Sequence, residues 1–313
     1  MDKYYEEAEA VIAQVKRVVI GKDACIQKAM AAILAGGHIL IEDIPGVGKT
    51  TLARAFSNAM DLESRRIQFT PDVMPSDLVG FSMYQKKEDQ FIYQPGAVMC
   101  NLFLGDEINR TSPKTQSALL EVMEEGSATV DGVTRKVPRP FVVMATQNPV
   151  GSVGTQKLPE SQLDRFMVCL SIGYPTLESQ MQIITAQRYH NPLLDIKPVT
   201  NAQNVLEVQN YLSSVEIKDS VLRYAIRLCE ETRRHPLIEL GISPRGVSAL
   251  VKMARANALI RERNYVIPED VQSVFCDVCA HRLVLRPQAQ VEGVQAKDIL
   301  GEILLKLRPG TEE

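Results

Sequence analysis

The stretch EDIPGVGKTT, residues 42–51, constrains the fold of this chain more than any other feature. It lies between an apolar run that is typical of a buried strand and a pattern that predicts a helix. Such a strand–turn–helix arrangement forms a phosphate-binding loop, in which backbone N–H groups and the helix dipole face the anion. The usual pattern is G-x-x-x-x-G-K-[ST], but Asp43 stands in the place of its first glycine. The rest of the chain therefore has to show whether the loop is functional.

The residue types in this loop indicate a nucleotide site with a magnesium ion. Gly46 and Gly48 allow the backbone to approach the phosphates. Lys49 is long enough to contact the β- and γ-phosphates, and the Thr50 hydroxyl is a suitable ligand for Mg²⁺. Pro45 stiffens the turn and partly compensates for the missing glycine. The predicted nucleotide-contacting residues of the loop are Pro45, Gly46, Val47, Gly48, Lys49, Thr50 and Thr51.

Two further apolar segments end in polar residues that suit the same chemistry. In NLFLGDEINR a predicted strand ends with Asp106, a candidate Mg²⁺ ligand, and Glu107, a candidate general base for a water molecule. In VVMATQNP, Thr146 and Asn148 follow another strand, where a neutral amide can orient that water. Each pattern also has a structural explanation, an acidic strand-to-helix connection or a turn-forming Asn-Pro. The preceding loop favours the catalytic interpretation.

From about residue 5 to residue 175 the chain alternates between strand-like and helix-like segments. The strand-like segments are short, almost continuously apolar and flanked by turn residues, as expected for strands buried on both faces of a parallel sheet. They cover residues 38–44, 65–69, 101–107, 139–147 and 166–172. This order predicts an α/β domain with a central parallel sheet.

Two insertions in this domain predict β-hairpins. In SATVDGVTRKV the pair Asp131 and Gly132 separates β-branched residues, and both turn residues tolerate positive φ. In GFSMYQKKEDQFIYQPG a charged tip at residues 86–89 separates two short strands. The hairpins are either surface decorations or projections that contact another molecule, and the sequence favours neither interpretation.

After residue 175 the pattern changes to helices alone. Helical periodicity covers roughly residues 177–189, 202–213, 217–233, 243–263, 268–282 and 296–307. We therefore predict an α/β domain at residues 1–190 and an all-α domain at residues 191–313. The polar segment at residues 188–200 is the predicted joint.

Composition argues against several classes of protein. Of the 313 residues, 45% are hydrophobic and 23% are charged, which is ordinary for a globular protein with a real core. The net charge of −3 gives no reason to expect nucleic acid as a partner, and 5% aromatic residues argue against an all-β sandwich. The N-terminal residues lack a signal-peptide pattern, and the most apolar stretches are shorter than the ~20 residues that cross a bilayer. We expect a cytoplasmic protein without direct membrane insertion.

The six cysteines are scattered along the sequence, which fits a reducing compartment. Cys276 and Cys279 form the one C-x-x-C pair, and a zinc site would need a second ligand pair that the sequence lacks. Burial on a helix face is the favoured interpretation.

Together these motifs resemble those of the AAA+ ATPases, and within them the MoxR family. The resemblance covers nearly the whole chain and is carried by VIGKD, GGHILIEDIPGVGKT, RIQFTPDVMPSD, DEINRTSPKTQSALLEVMEE, ATQNP, LPESQLDRF, ISPRG, YVIPEDV and AHRL. An acidic residue ahead of the glycines looks like a trait of that family, so Asp43 is compatible with a working site. The resemblance implies a core with a central parallel sheet and two β-hairpin inserts, followed by an all-α lid.

The resemblance also implies roles for single residues. Asn148 resembles the sensor-1 residue, and Arg165 in LDRF resembles an arginine finger supplied to the γ-phosphate of a neighbouring subunit. Arg245 in SPRG resembles sensor 2, which reaches the nucleotide of its own subunit. Ile20 and Gly21 match the segment beside the adenine.

Other positions are less determined. An arginine at a helix end also has a structural explanation, because exposed ion pairs contribute under about 1 kcal/mol and the stem often packs on the surface. Arg110 matches the family motif EINR, but its action within its own subunit or on a neighbour stays open. The stretch PVGSVGTQKLPE carries Gly151, Ser152 and Val153 where the family often has an acidic residue, so the contacts of this loop are expected to differ.

The function implied by the resemblance is hydrolysis of ATP with Mg²⁺ at inter-subunit sites of a homo-oligomeric ring, expected to be a hexamer. The implied role is chaperone-like remodelling or maturation of protein clients, with a von Willebrand A-domain protein as an expected kind of partner. Two alternatives stay open, a scaffold that binds nucleotide with little turnover and a nucleic-acid motor. The negative net charge argues against the motor, and the joint presence of the loop lysine, the acids and the arginines argues against the scaffold.

Overall fold

The computed structural model describes residues 2–148, 158–188 and 190–309. The strands, in chain order, are β1 (Ile39–Glu42), β2 (Ser64–Gln68), β3 (Gly80–Gln85), β4 (Gln90–Pro95), β5 (Leu102–Asp106), β6 (Ser127–Val130), β7 (Val133–Lys136), β8 (Val142–Gln147), β9 (Val168–Leu170), β10 (Ile238–Leu240) and β11 (Val284–Leu285). The α-helices, in chain order, are α1 (Asp2–Lys16), α2 (Asp23–Leu34), α3 (Lys49–Ala59), α4 (Pro75–Val79), α5 (Pro113–Glu125), α6 (Glu160–Leu163), α7 (Leu177–Gln187), α8 (Ala202–Tyr211), α9 (Asp219–Arg234), α10 (Pro244–Ile260), α11 (Pro268–Cys279), α12 (Pro287–Val291) and α13 (Ala296–Lys306).

A five-stranded parallel sheet with the order β2-β5-β8-β1-β9 forms the centre of the N-terminal part. Each segment that the sequence predicts as a strand of a parallel sheet is a strand of this one. Strand β5 is buried along its whole length, and β1 and β8 are buried except at their last residues. Burial on both faces explains why these segments are apolar at nearly every position. The prediction of a central parallel sheet is confirmed.

The register of the sheet places the ends of its strands side by side. Glu42 of β1 is paired with Gln147 of β8, and Gln68 of β2 is paired with Asp106 of β5. Because parallel strands have their carboxyl ends at one edge, the loops that follow β1, β5 and β8 meet there. In open α/β sheets this is the edge where ligands bind.

Both predicted hairpins are present. Strands β3 and β4 pair around the charged tip at residues 86–89, and β6 and β7 pair around Asp131 and Gly132. These two turn residues have φ angles of 52° and 75°, the positive values that a two-residue hairpin turn requires. On the first hairpin, Phe81 and Phe91 are exposed to solvent.

The C-terminal part is helical, as predicted. The predicted helical segments correspond to α7–α11 and α13, whereas α12 and the antiparallel pair of β10 and β11 were not predicted. These additional elements contain 5, 3 and 2 residues, too few to produce a recognisable periodicity. The lid therefore contains a small strand pair among its helices. The domain boundary between residues 190 and 191 stays a prediction.

The lid packs against the sheet on the side of β9. Helix α11 contacts β9, and α10 packs against α2 in one continuous apolar core. Arg282 connects the two parts, because its guanidinium donates to the carbonyl oxygens of Phe166 and Met167 and pairs with Asp164 at 2.8 Å. Within the described residues, no helix combines the length and the apolar composition needed to cross a bilayer.

Candidate active site

Residues 43–48 connect β1 to α3 in a loop with open space beside its glycines. Gly46 and Gly48 have φ angles of 85° and 97°, which residues with a side chain rarely adopt. A Cβ atom built on either glycine would have no neighbour within 4 Å. The glycines are therefore required by the backbone conformation, and the space next to them fits a ligand.

Lys49 and Thr50 begin α3, at the positive end of its helix dipole. The Lys49 side chain is largely buried, and its Nζ donates a hydrogen bond of 2.6 Å to the carbonyl oxygen of Asp43. Burial lowers the pKa of Lys49, while the negative charges of Asp43, Asp106 and Glu107 oppose that shift. The loop lysine thus lies close to the acidic residues that follow β5.

Asp106 ends β5 and is almost completely buried. Its Oδ2 accepts a hydrogen bond of 3.4 Å from the Thr50 hydroxyl and one of 2.6 Å from Nε of Arg66. Its Oδ1 accepts from the Thr146 hydroxyl at 3.3 Å. A carboxylate and a hydroxyl are oxygen donors of the kind that Mg²⁺ prefers. Thr50 and Asp106 therefore fit the predicted metal site.

Glu107 has a φ angle of 60°, an uncommon value for a residue other than glycine. Its backbone N–H donates to the Thr146 hydroxyl at 3.0 Å, which stabilises this conformation. Its Oε1 accepts a hydrogen bond of 3.0 Å from Nδ2 of Asn148. The structure therefore brings the predicted general base and the predicted water-orienting amide into direct contact.

Two arginines to which the sequence analysis gave no definite role pair with these acids. Arg66 of β2 pairs with Asp106 at 2.6 Å, and Arg110 pairs with Glu107 at 3.0 Å. Arg110 therefore contacts its own chain in this structure. The sequence did contain a sign that Arg66 could approach Asp106. Side chains alternate between the two faces of β2, so Arg66 lies on the same face as Gln68, which is paired with Asp106 in the strand register.

Ile20 and Gly21, which are predicted to lie beside the adenine base (the base side of the site), are located next to the beginning of α3. Ile20 and Thr51 line a cavity of about 50 Å³ together with Ile183 of α7. Gly21 has a φ angle of 72°, and a Cβ there would lie 2.2 Å from the Ser179 hydroxyl. Only glycine fits this close approach to α7.

Arg165 and Arg245 form a separate pair. Both guanidinium groups contact the carboxylate of Glu124 near the end of α5, Arg165 at 2.7 Å. Arg165 also donates to the carbonyl oxygen of Leu120 at 2.6 Å. A cavity of about 440 Å³ lies beside Glu121, Glu124 and Arg165.

This arginine pair lies at the opposite edge of the sheet from the phosphate-binding loop. His38, directly before β1, contacts the carbonyl oxygen of Met123, so the end of α5 is at the amino edge. Lys49 follows β1 and is at the carboxyl edge. The structure therefore does not bring Arg245 to Lys49 of the same chain, contrary to the expectation that Arg245 reaches the nucleotide of its own subunit. Gly151, Ser152 and Val153 lie outside the described residues.

Known proteins resemble this chain over nearly its whole length. It is 47% identical to the protein YeaC of Bacillus subtilis, over 94% of this chain and 92% of that protein. It is 36% identical to Chaperone MoxR1 of Mycobacterium tuberculosis, over 95% of this chain and 80% of that protein. The crystal structure of a candidate ATPase from Cytophaga hutchinsonii superposes with a TM-score of 0.91 at 36% identity, and covers 99% of this chain and 96% of that one.

The loop, the acidic pair and the amide of Asn148 at one edge of a parallel sheet, followed by a helical lid, define an ATPase of the AAA class. Accordingly, residues 38–168 match the ATPase family associated with various cellular activities (AAA), and residues 230–303 match the AAA lid domain. Within this class, the chain belongs to the MoxR family of AAA+ ATPases.

Proposed function

We propose that this chain hydrolyses ATP at sites that form between subunits of a homo-oligomeric ring. The observation that carries the proposal is the separation of the functional side chains into two groups. The loop and the acidic residues converge at the carboxyl edge of the sheet, whereas Arg165 and Arg245 lie together at the amino edge. Because the two groups lie at opposite edges of the sheet within one chain, a second copy would supply the arginines.

In each subunit the carboxyl-edge residues have distinct roles. Lys49 exchanges the carbonyl oxygen of Asp43 for the phosphates, and Thr50 and Asp106 would hold Mg²⁺. The ion, when bound, neutralises negative charge on the phosphates. Glu107 polarises the attacking water, and Asn148 keeps its carboxylate in position.

The arginines act on the neighbouring subunit in this proposal. A contact that joins the amino edge of one copy to the carboxyl edge of the next is heterologous, and such contacts generate a ring when the rotation between copies closes. Arg165 then neutralises charge that develops on the transferred phosphoryl group, an effect that contributes on the order of 10³-fold or more in rate. Arg245 approaches the same site from the lid. We propose a ring of six subunits.

The proposed role is chaperone-like remodelling or maturation of protein clients in the cytoplasm. It is supported by the relative from Mycobacterium tuberculosis that is named a chaperone. The β3–β4 hairpin exposes Phe81 and Phe91, and exposed apolar side chains suit contact with proteins. We propose that hydrolysis changes the orientation of subunits and that both hairpins convey this motion to the client. A von Willebrand A-domain protein is the proposed partner, and neither nucleic-acid binding nor membrane insertion is part of the proposal.

The test measures phosphate release per subunit as a function of protein concentration. Specific activity should rise with concentration, because a subunit without a neighbour lacks the arginine finger. Arg165→Ala and Lys49→Ala should each be inactive alone and partly active when mixed, since mixed rings combine an intact arginine with an intact loop. A specific activity independent of concentration, or an active Arg165→Ala protein, would reject the shared site. Nucleotide binding without any turnover would favour the scaffold.

A further inference from the structure

Asp43, which replaces the first glycine of the loop pattern, uses both carboxylate oxygens as acceptors. Its Oδ1 accepts from the N–H of Ile44 at 2.9 Å. Its Oδ2 accepts from the Ser171 hydroxyl at 3.0 Å and from the N–H groups of Ile172 and Gly173 at 2.7 Å each. Hydrogen bonds to an ionised acceptor are roughly twice as strong as neutral ones. The start of the loop is therefore firmly attached to the segment that follows β9.

The carboxylate is charged in this environment. Burial of Asp43 favours the neutral form, but the hydrogen bonds from Gly173, Ser171 and Ile172 outweigh it, so the pKa lies below its ordinary value. A residue that is 7% exposed and accepts this many hydrogen bonds cannot be replaced without loss. The negative charge of Asp43 thus strengthens the hydrogen bonds that hold the loop to the segment after β9.

The attached segment leads directly to the base side of the site. The carbonyl oxygen of its next residue, Tyr174, accepts a hydrogen bond of 2.7 Å from Nζ of Lys22. Further on, Ser179 lies against Gly21 so closely that no Cβ fits between them. Gly21 belongs to the predicted adenine-side segment, and Lys22 directly follows it in the sequence. Asp43 therefore lies between the loop that is proposed to bind the phosphates and the segment after β9, the base-side wall, which lies beside the proposed adenine site.

The backbone of Asp43 points to the same connection. Its carbonyl oxygen accepts the hydrogen bond from Lys49 that the proposed function exchanges for the phosphates, so one residue contacts both this lysine and the segment after β9. We propose that Asp43 is a positioning residue that aligns the phosphate-binding loop with the base-side wall, so that the site binds a whole nucleotide rather than a phosphate chain. This inference rests on the nucleotide site of the proposed function.

Two ligands separate alignment from a general defect of the loop. ADP occupies both sides of the site, whereas pyrophosphate occupies only the loop. In Asp43→Gly, which restores the usual loop residue, we expect ADP to bind roughly 10- to 100-fold more weakly and pyrophosphate to change by less than about threefold. Ser171→Ala removes one donor and keeps both backbone donors, so it should give the same preference with a smaller loss, about two- to fivefold.

The experiment is titration calorimetry of the full chain with both ligands. Lys49→Ala is the control for the site itself and should lose both ligands. Amide hydrogen exchange at Ile172 and Gly173 should be faster in Asp43→Gly, which verifies that the connection is broken. If Asp43→Gly does not fold, the ratio of the two affinities in Ser171→Ala decides instead.

The outcomes distinguish the two proposals. Failure of the wild-type chain to bind ADP, or normal binding by Lys49→Ala, would reject the nucleotide site whatever Asp43 does. If the lysine control behaves as expected, equal losses of ADP and pyrophosphate on replacing Asp43 or Ser171 would overturn the positioning role. Unchanged ADP affinity in these variants would overturn it as well.

Discussion

Nε of Arg66 lies 2.6 Å from Oδ2 of Asp106, the same carboxylate oxygen that faces the hydroxyl of Thr50. The side chain of Asp106 is 8% exposed, whereas that of Arg66 is 49% exposed. A cation of the chain itself thus lies where the proposed site would hold Mg²⁺. Because two positive charges at one oxygen repel each other, the guanidinium would compete with the proposed metal ion for Asp106.

Replacing Arg66 should therefore make the site easier to load with metal. We expect Arg66→Gln to lower the Mg²⁺ concentration for half-maximal phosphate release by about threefold to tenfold, as fits a partly exposed ion pair. The measurement is a Mg²⁺ titration at fixed ATP concentration. Arg65→Gln is the matched control, because the neighbouring arginine pairs with Glu63 instead. An unchanged or increased requirement for Mg²⁺ in Arg66→Gln would contradict the competition.

The sequence predicts the sheet and the loop because their signals are local. Continuous apolar runs identify strands buried on both faces, and Asp131 with Gly132 identifies a turn that needs positive φ. The glycines beside Lys49 act through their own backbone angles. Such features depend only on neighbouring residues in the sequence, so one sequence is enough to predict them without an alignment.

Contacts between segments that are distant in the sequence could not be predicted in this way. Arg66 and Asp106 are 40 positions apart, and only the register of β2 on β5 brings them together. Asp43 and Ser171 are brought together in the same way by the pairing of the adjacent strands β1 and β9. The position of Arg245 depends on how the lid packs, and a motif match carries no information on which subunit it faces. The strand pair of the lid was missed because its strands are too short to show a pattern.

Replacing Glu107 by Gln should stop turnover and preserve binding. The amide oxygen can still accept the hydrogen bond from Asn148, but the carboxylate that is proposed to polarise water is lost. We expect phosphate release to fall by about 10²-fold or more while ADP binds as in the wild type. Stopped-time phosphate assays and calorimetry measure the two quantities. Glu9→Gln on the exposed surface of α1 is the control, and turnover near the wild-type rate in Glu107→Gln would remove this residue from its assigned role.

Mixing experiments should show that Arg245 acts on a neighbouring subunit. Because Arg245 shares Glu124 with Arg165 at the amino edge, Arg245→Ala should be inactive alone and regain activity when mixed with Lys49→Ala. In an equal mixture, about a quarter of the interfaces would combine an intact loop with an intact arginine. Phosphate release of the mixture against that of each variant is the measurement.

The matched control for this experiment is a mixture of Glu107→Gln and Lys49→Ala. Both lesions lie at the carboxyl edge, so no subunit of the mixed ring has a complete set of its own residues, and activity should not return. Restoration in the control would show that the assay does not report shared sites. An Arg245→Ala protein that no partner can rescue would place Arg245 in the site of its own subunit.

A buried histidine should make the stability of the chain depend on pH. Nδ1 of His38 accepts a hydrogen bond of 3.0 Å from the N–H of Val143, and Nε2 donates one of 3.0 Å to the carbonyl oxygen of Met123. Burial lowers the pKa of His38 from 6.5 to about 4, although the bond to Met123 opposes the shift. The folded chain therefore keeps the ring neutral, since a proton on Nδ1 would break the bond from Val143.

The unfolded chain protonates this ring below pH 6.5, and the folded chain does so only near pH 4. The unfolded state thus binds more protons than the folded state between these two pH values. As the pH is lowered through this window, His38 should therefore reduce the free energy of unfolding by about 3 kcal/mol. Melting temperatures from pH 7.5 to pH 4.5 should therefore fall less steeply in His38→Gln than in the wild type. His281, whose pKa burial lowers to about 3, contributes equally to both proteins and cancels from the comparison. An equally steep slope in His38→Gln would show that the proton uptake belongs to another group.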